Sequence, residues 1–504
     1  MPPVEEVLAE NAQLKAKLSA KDELVSELKA QIDWLRRQVF GGGKSEKVDP
    51  RQIDFLESEL EKAERQAEPQ TEKIAYERDK PRKRRAREDI YGNLPVDEEV
   101  FIDPEEVLAD PDAYEQCSEV ETFEVKVSPP RFTRRRIVRR KYRKAGDRSQ
   151  APVVAPAPAR PVEGVASAEL LSHICVSKYL DHLPLYRQRA IYKRYGFAVE
   201  RQNLVRWVEK AAQWVKPIYD HIKIELLEGD YVQVDETPVK YQDPDYGERK
   251  TRTGQLCGMT RPRGNVWYKW ILGRSHASVS SHLAKFKGVL QADMYEAYPK
   301  LAKDGKGVEL AACWAHARRK FHEIKDRNPR ECNLALKLIG RLYAVEKRIR
   351  EMRADGEGFS DDDAKACRQE NALNTHARLK RVLTIVRHGR LPRQELAKAC
   401  DYALNHWKYL STYLEHGRVE IDNNGMENAI RPTAIGKKNW MFVGHPEAGE
   451  RSAILYSLLI SCQRLGVHPQ DYLTELLKTD LSKLTKDELS KLTPAAWDKS
   501  RGTI

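Results

Sequence analysis

Tyr231-Val-Gln-Val-Asp-Glu-Thr-Pro-Val239 is the stretch whose reading decides the fold. Valine, tyrosine and threonine crowd it, and Gly229 just ahead closes a long helical pattern, so the period changes here from helix to strand. Reading outward, residues 255–259 form a second expected strand, and residues 265–272, with Trp267, Tyr268 and Trp270, a third. A helix is expected over 278–287, a fourth strand over 289–292, a fifth over 308–313 and a helix over 315–324. Three strands in hairpin order, followed by strands separated by helices, predict a mixed sheet with helices on its faces.

Ahead of the sheet, residues 165–228 read as a helical domain, with helices over 168–179 and 185–195 and a third starting near 200. Leu204, Trp207, Val208, Ala211 and Trp214 line one face of the third. A helix, a turn at Gly196 and a second helix outline a helix-turn-helix, with a plain helical bundle as the other reading. On the exposed side of the last helix, Arg201, Gln202, Asn203 and Arg206 have the chemistry to read base edges. Residues 151–164 are a semi-rigid Pro/Ala linker. Residues 46–150 hold a basic block at 80–87, an acidic stretch at 97–124 and a second basic run that includes Arg134, Arg135, Arg136, Arg139 and Arg140. Short strands are expected there over 122–127 and 137–142. Blocks of this kind are solvated, and in a basic protein they suit contact with a phosphate backbone.

Residues 1–40 read as a coiled coil. Val4, Asn11, Leu18, Val25, Ile32 and Val39 fall at position a, and Val7, Leu14, Lys21, Leu28 and Leu35 at position d. β-Branched residues at a with leucine at d favour a parallel dimer, and one asparagine at a sets its register. Gly41-Gly-Gly43 ends the helix. Gly43-Lys44-Ser45 is not a phosphate-binding loop, because Gln38 stands where its first glycine belongs. Beyond the first part of the sheet domain, 229–328, a long helical insertion is expected over 329–418, with runs at 334–352, 362–386 and 393–414. The sheet domain resumes over 419–478, with helices at 424–430 and 449–465, and 479–504 is a C-terminal tail.

A chain of 504 residues suggests roughly three domains at about 150 residues each. Its net charge is +12, which calls for an acidic partner such as nucleic acid or a lipid headgroup. It has no run of about 18 apolar residues and no secretory signal at its start, so no membrane partner is expected. Its eight cysteines form no Cys-x-x-Cys, which argues against a disulfide framework or a cysteine-based zinc site and fits a reducing cytosol.

Three carboxylates stand out by position. Asp235 sits on or at the end of the first strand, Asp293 just past the fourth, and Glu427 at the start of a helix after the insertion. After a three-strand hairpin, a parallel fourth strand lies beside the first, which puts Asp235 next to Asp293. A helix crossing the sheet then brings Glu427 alongside. Like charges so close do not ionise together unaided. Divalent cations resolve this: Mg²⁺ takes one or two carboxylates and completes its shell with water and phosphate oxygens. Two such ions about 4 Å apart activate the attacking oxygen and stabilise the leaving one in phosphoryl transfer. Glu236 should point to the opposite face of the strand. His316, Arg318 and Arg319 follow the fifth strand, either facing a scissile phosphate or simply opening a helix with exposed basic residues. Asp422, Asn423 and Asn424 are read as caps of the Glu427 helix.

The chain resembles DDE transposases of the insertion-sequence-66 family. The resemblance runs from the N-terminal helix to about residue 476. It is densest in Val176-Ser-Lys-Tyr-Leu-Asp-His-Leu-Pro-Leu-Tyr-Arg-Gln188, Val234-Asp-Glu-Thr-Pro-Val239, Gly288-Val-Leu-Gln-Ala-Asp-Met-Tyr-Glu-Ala-Tyr298, Ala311-Ala-Cys-Trp-Ala-His-Ala-Arg-Arg-Lys-Phe321 and Glu420-Ile-Asp-Asn-Asn-Gly-Met-Glu-Asn-Ala-Ile-Arg-Pro432. It implies an α/β RNase H-like catalytic domain with a helical insertion before the glutamate, the triad Asp235, Asp293 and Glu427, and two Mg²⁺ or Mn²⁺ ions that support cleavage and joining of DNA. It also implies small accessory proteins of the element as partners. Members of the family usually carry paired Cys-x-x-Cys motifs ahead of the linker; here only Cys117 remains, so no zinc is expected.

The expected protein is a cytoplasmic, nucleoid-associated transposase that binds transposon-end and target DNA. It dimerises through its coiled coil and frees a 3′-hydroxyl that attacks the target directly. The rival is a non-catalytic dimeric DNA-binding regulator with a decayed catalytic domain, against which the intact triad argues.

Overall fold

The computed structural model describes residues 131–142, 153–243, 251–273, 281–303, 307–355 and 358–497, with positions 112 and 245 besides. The expected coiled coil and most of the 46–150 segment, Cys117 included, lie outside the described residues. Strand β1 (Lys141–Tyr142) pairs antiparallel with β2 (Val153–Val154), so the strand expected over 137–142 keeps only its last two residues and takes its partner from the Pro/Ala stretch. The arginine-rich segment 131–140 has no regular secondary structure and is exposed apart from Phe132.

Helix α1 (Ala168–Tyr179) starts at Ser167, whose side chain accepts the Leu170 N–H. Helix α2 (Leu185–Arg194) ends ahead of Gly196, whose φ of +81° turns the chain toward α3 (Arg201–Leu227). Helix α3 buries Leu204, Trp207, Val208, Ala211, Val215, Ile218 and Ile222 at helical spacing and runs through Pro217.

The main sheet comprises β3 (Tyr231–Gln242), β4 (Thr251–Thr260), β5 (Val266–Ile271), β6 (Gly288–Ala292) and β7 (Val308–Ala312), in the order β5-β4-β3-β6-β7. The β3–β4 and β4–β5 pairs are antiparallel; β3–β6 and β6–β7 are parallel. The first and fourth strands of the sheet are therefore neighbours, as the hairpin order predicts. In the described part of the expected 278–287 helix, 281–285 is turn and 286–287 irregular, anchored by buried Leu283 and Phe286 and ended by Gly288 at φ +130°. Between β6 and β7 lies α4 (Ala297–Lys303), which the sequence reading missed. Pro299 reads as a breaker, but it falls in the first turn, where its missing N–H has no partner to lose.

After β7 come α5 (Trp314–Glu323), α6 (Pro329–Asp355), α7 (Asp361–Asn371), α8 (Leu373–Arg387), α9 (Glu395–Asn405) and α10 (Trp407–Ser411). The run expected over 362–386 is thus divided at Ala372, and the one over 393–414 at His406. Helix α11 (Asn424–Trp440) continues ten residues past its expected end, through Pro432. An interior proline costs about 3 kcal/mol. Burial of Met426, Ala429, Ile430, Thr433 and Gly436 along one side of the helix offsets it. Helices α12 (Pro446–Leu465), α13 (Pro469–Lys478) and α14 (Lys486–Lys491) complete the chain. The segment beyond α13 packs back: Trp497 meets Tyr472 edge-on with ring centroids 4.9 Å apart, and the Ala495 N–H donates to Asn265 Oδ1.

Side-chain alternation assigns the two faces of the sheet. Asp235, Gly258 and Tyr268 share one register row. Tyr268 donates to the Ala429 carbonyl of α11 at 2.6 Å and meets Tyr456 of α12, so those helices cover this face. The other face takes Tyr219 of α3, stacked on Trp267, and Tyr298 of α4. Ser457 and Ser461 of α12 accept the Tyr268 and Val266 N–H groups at 2.8 Å, which occupies the open edge of β5. Among the described residues, no helix is long and apolar enough to cross a membrane.

Candidate active site

The parallel β3–β6 pairing places Gln233 opposite Gln291. Asp235 lies two residues further along β3, Asp293 directly follows the end of β6, and the charge of Asp293 is felt at Asp235. Asp235 Oδ1 accepts the Glu236 N–H at 2.8 Å, and Asp293 Oδ1 accepts the Tyr295 N–H at 3.0 Å. Tyr402 of α9 donates to the Asp293 carbonyl at 3.3 Å, which ties the helices after β7 to this loop.

Helix α11 crosses the face that carries Asp235. Its Met426 lies over Gly258, the β4 partner of Asp235, where any Cβ would overlap the methionine. The approach to the helix is fixed by a buried polar network. Tyr231 donates to Gln291 Oε1 at 2.6 Å, Gln233 Nε2 to the Asp422 carbonyl at 3.0 Å, and Gln291 Nε2 to the Glu420 carbonyl at 2.7 Å. Asn423 occupies the cap position without capping; its Nδ2 donates to the Val234 carbonyl at 2.8 Å and its N–H to Cys313 Sγ at 3.2 Å. The capping falls to Asp422, whose Oδ1 accepts the Asn424 N–H at 3.0 Å. Glu427 follows in the first turn, where the helix dipole favours a carboxylate.

Glu427 meets α5 on its other side. Its Oε1 lies 3.6 Å from His316 Nδ1, and its Oε2 accepts from Arg319 Nη2 at 3.3 Å. Arg318 is exposed, and its charge is felt at Tyr343 of α6. The ligand atoms of Cys313, His316 and Glu427 lie within 4.8 Å of one another, the one such trio among the described residues. Burial pushes the Cys313 thiol up to about 12, so in the chain alone it stays protonated. The three acidic side chains do not close to that distance, because Glu427 leans toward α5. They nevertheless act on one another. Burial, then the charges of Asp293, Glu427 and Glu236, push the Asp235 carboxyl up to about 7 against the pull of the Glu236 N–H. Glu236 lies across the sheet, where Tyr298 donates to its Oε1 at 2.9 Å.

The basic residues picked out upstream are on the surface. Arg201, Gln202 and Arg206 are exposed and Asn203 half-buried at the start of α3, where a shallow groove also takes in Val205. Arg134, Arg136 and Arg140 are exposed; Arg135 pairs with Glu169 at 3.2 Å and Arg139 donates to the Ala155 carbonyl at 3.0 Å. Phe132 pins this arm to the helical domain, 5.2 Å from Tyr192 and 5.1 Å from Phe197 between ring centroids.

The family described as "Transposase IS66 family" matches residues 163–451, a span that takes in the helical domain, the sheet and all three acidic residues. The chain belongs to the IS66 family of transposases. Residues 27–98 also match "Transposase C of IS166 homeodomain". Two relatives from Sinorhizobium fredii are similar over nearly their whole length. "Uncharacterized protein y4jD" is 31% identical over 503 residues, covering 94% of each chain. "Uncharacterized protein y4qI" is 33% identical over 492 residues, covering 93% of this chain and 88% of the relative. In this IS66-family chain the reading from sequence overlooked the residues that aim Glu427, namely Tyr231, Gln233, Gln291 and Cys313. A signal was present: each aspartate is preceded two residues earlier by a glutamine inside an otherwise apolar strand, on the same face.

Proposed function

We propose that this chain is the DNA transposase of an insertion sequence, cutting DNA at the element's ends and joining the freed 3′-hydroxyl to target DNA, with Asp235, Asp293 and Glu427 as its DDE triad. The observation that supports this reading is the parallel β3–β6 pairing, which brings the strand of Asp235 beside the strand that ends just before Asp293, under the helix that carries Glu427. A three-strand antiparallel meander followed by two parallel strands supports an RNase H-like domain.

The donor set fits a hard divalent cation, since it offers carboxylate oxygens and leaves Asp235 buried among like charges. Asp235, Asp293 and Glu427 would hold two Mg²⁺ or Mn²⁺ ions, which when bound supply the charge that phosphoryl transfer needs. Zinc is not proposed; the module that usually carries it retains only Cys117. The remaining work falls to the chain. The Gln233–Gln291 network anchors the chain entering the Glu427 helix, and Arg319 holds the Glu427 carboxylate beside His316. Arg319 keeps just over half its side chain in solvent, free to meet a phosphate oxygen. Water attacks the phosphodiester at the element end and expels a 3′-hydroxyl, and that hydroxyl attacks a target phosphodiester with no covalent enzyme intermediate. The 131–140 arm and the start of α3 bind the end DNA, residues 4–39 pair two chains, and small proteins of the element assist.

The test is metal-dependent nicking of a labelled duplex carrying the element end, run beside a gel shift. Asp235→Asn, Asp293→Asn and Glu427→Gln should each lose nicking by orders of magnitude and keep DNA binding, because a carboxamide ligates a hard cation poorly. Wild-type nicking by either Asp variant refutes the triad. DNA binding without nicking by the unaltered chain would favour the regulator.

A further inference from the structure

Helix α11 carries a row of exposed side chains beyond Glu427. Arg431, Ile435 and Lys438 follow at steps of four, four and three residues, the spacing that holds one helix face, and Phe442 is exposed just past the helix end. Residues 428–446 contain no acidic residue. The row ends in a strained turn. Met441 has φ 59° and ψ −45°, and the Phe442 N–H donates to the Trp440 carbonyl at 2.7 Å across it. This is a positive-φ γ-turn, rare for any residue with a side chain. A helix that merely had to stop would place glycine there. Met441 is 69% exposed and gains little from burial, while Phe442, at 38%, keeps over a third of its surface in solvent.

The turn is also rigidly held. The Val443 N–H donates to the Lys240 carbonyl and the Gln242 N–H to the Val443 carbonyl, both at 2.8 Å, which ties the turn to β3, the strand of Asp235. Lys437 Nζ donates to Thr237 Oγ1 and the Pro238 carbonyl at 3.1 Å. Met441 is thus held out to solvent by a strained backbone, with the partly covered Phe442 beside it, flanked by Arg431, Lys437 and Lys438. A partner with an anionic surface and a stacked apolar interior fits this face, and duplex DNA has both. Methionine and phenylalanine wedges that part base steps are a recurrent device of DNA-bending proteins.

We infer that the exposed row of α11 tracks the duplex bearing the scissile phosphate, and that Met441 with Phe442 is a wedge that parts one of its base steps. The inference rests on the triad reading of Glu427. Glu427 to Met441 spans roughly 21 Å at 1.5 Å per residue. That is about six base steps at ~3.4 Å each. Arg431 and Lys438 contact the intervening phosphates, and the opened step bends the duplex so that the scissile phosphate is held against Asp235 and Asp293. Met441 and Phe442 are positioning residues.

Permanganate oxidises unstacked thymines and spares stacked ones, so it reads the wedge directly. The full chain is bound to a labelled duplex of the element's terminal sequence, with thymines placed in turn along both sides of the scissile phosphate. One hyperreactive thymine is expected about six steps from that phosphate. Met441→Gly combined with Phe442→Ala should abolish it and keep the gel shift. Glycine suits the positive φ, and Met441→Gly alone, checked by thermal melting, guards against a folding defect. Asp235→Asn should keep the hyperreactive thymine while losing nicking. Normal nicking by Asp235→Asn with the wedge signal intact would overturn the triad and leave the wedge standing. Equal hyperreactivity in the double variant and the unaltered chain, or none in an unaltered chain that binds and nicks, overturns the wedge and assigns the turn to a protein partner.

Discussion

Glu346 of α6 and Asp235 of β3 are both carboxylates withdrawn from water, and their surroundings differ. Glu346 receives Arg368 of α7 in a two-pronged pair, Nε and Nη2 each at 2.7 Å, both side chains almost fully buried. The remaining reach of Arg368 goes to the Tyr413, His416 and Gly417 carbonyls. This charge pair is satisfied within the chain. Asp235 has a single N–H and three acidic neighbours, and its carboxyl is driven upward. The first arrangement holds helices together and needs nothing further. The second lacks positive charge, which a cation or a substrate complex can supply. Burial of charge alone therefore does not mark a site; burial with an unsatisfied balance does.

Removing one partner of the satisfied pair gives the largest effect on folding. Arg368→Met leaves Glu346 buried and unpaired and should cost about 3–5 kcal/mol. Denaturant unfolding measures it. Arg368→Met with Glu346→Leu should recover much of that loss, because replacing both charges by apolar groups restores balance. If the double variant is no better than the single, the carbonyl contacts of Arg368 dominate.

Asp235 should behave in the opposite sense. Its folded pKa of about 7 lies above the ordinary aspartate value of 3.8, so stability is present below about pH 4 and is lost as pH rises through about 7. With a chelator present, Asp235→Asn should therefore stabilise the protein near pH 8 by on the order of 2–4 kcal/mol, and by much less toward pH 4. Melting temperatures across that window check the sign; an Asn variant less stable at the alkaline end contradicts it. Glu236→Gln, on the far face with Tyr298, should change nicking by less than about tenfold, within 1.4 kcal/mol of barrier. A loss as deep as that of Asp235→Asn would move the site across the sheet.

Much of this contrast was legible in the sequence. Hairpin strands before a parallel strand place Asp235 beside Asp293, and the motif from Glu420 to Pro432 marks Glu427. The helix expected over 278–287 fails in its described part, where Leu283 and Phe286 supply only one turn of apolar spacing before Gly288. Helix α4 was hidden by Pro299, and the length of α11 by Pro432, whose cost is outweighed by packing that only the tertiary structure reveals. The pairing of Glu346 with Arg368 joins two helices through side chains that read as surface charges. Arg319 was legible as a candidate beside the site and Arg318 was not separable from it, since which of two neighbouring arginines turns inward depends on the helix axis.

The central claim is that the Asp235, Asp293 and Glu427 cluster is built to receive divalent cations. Calorimetric titration of Mn²⁺ into the full chain tests it most directly. The account predicts saturable binding of two ions per chain, lost or reduced to weak binding in Asp235→Asn and Asp293→Asn and retained in Glu236→Gln. Binding unchanged in Asp235→Asn, or no binding to the unaltered chain with and without end DNA, would contradict it.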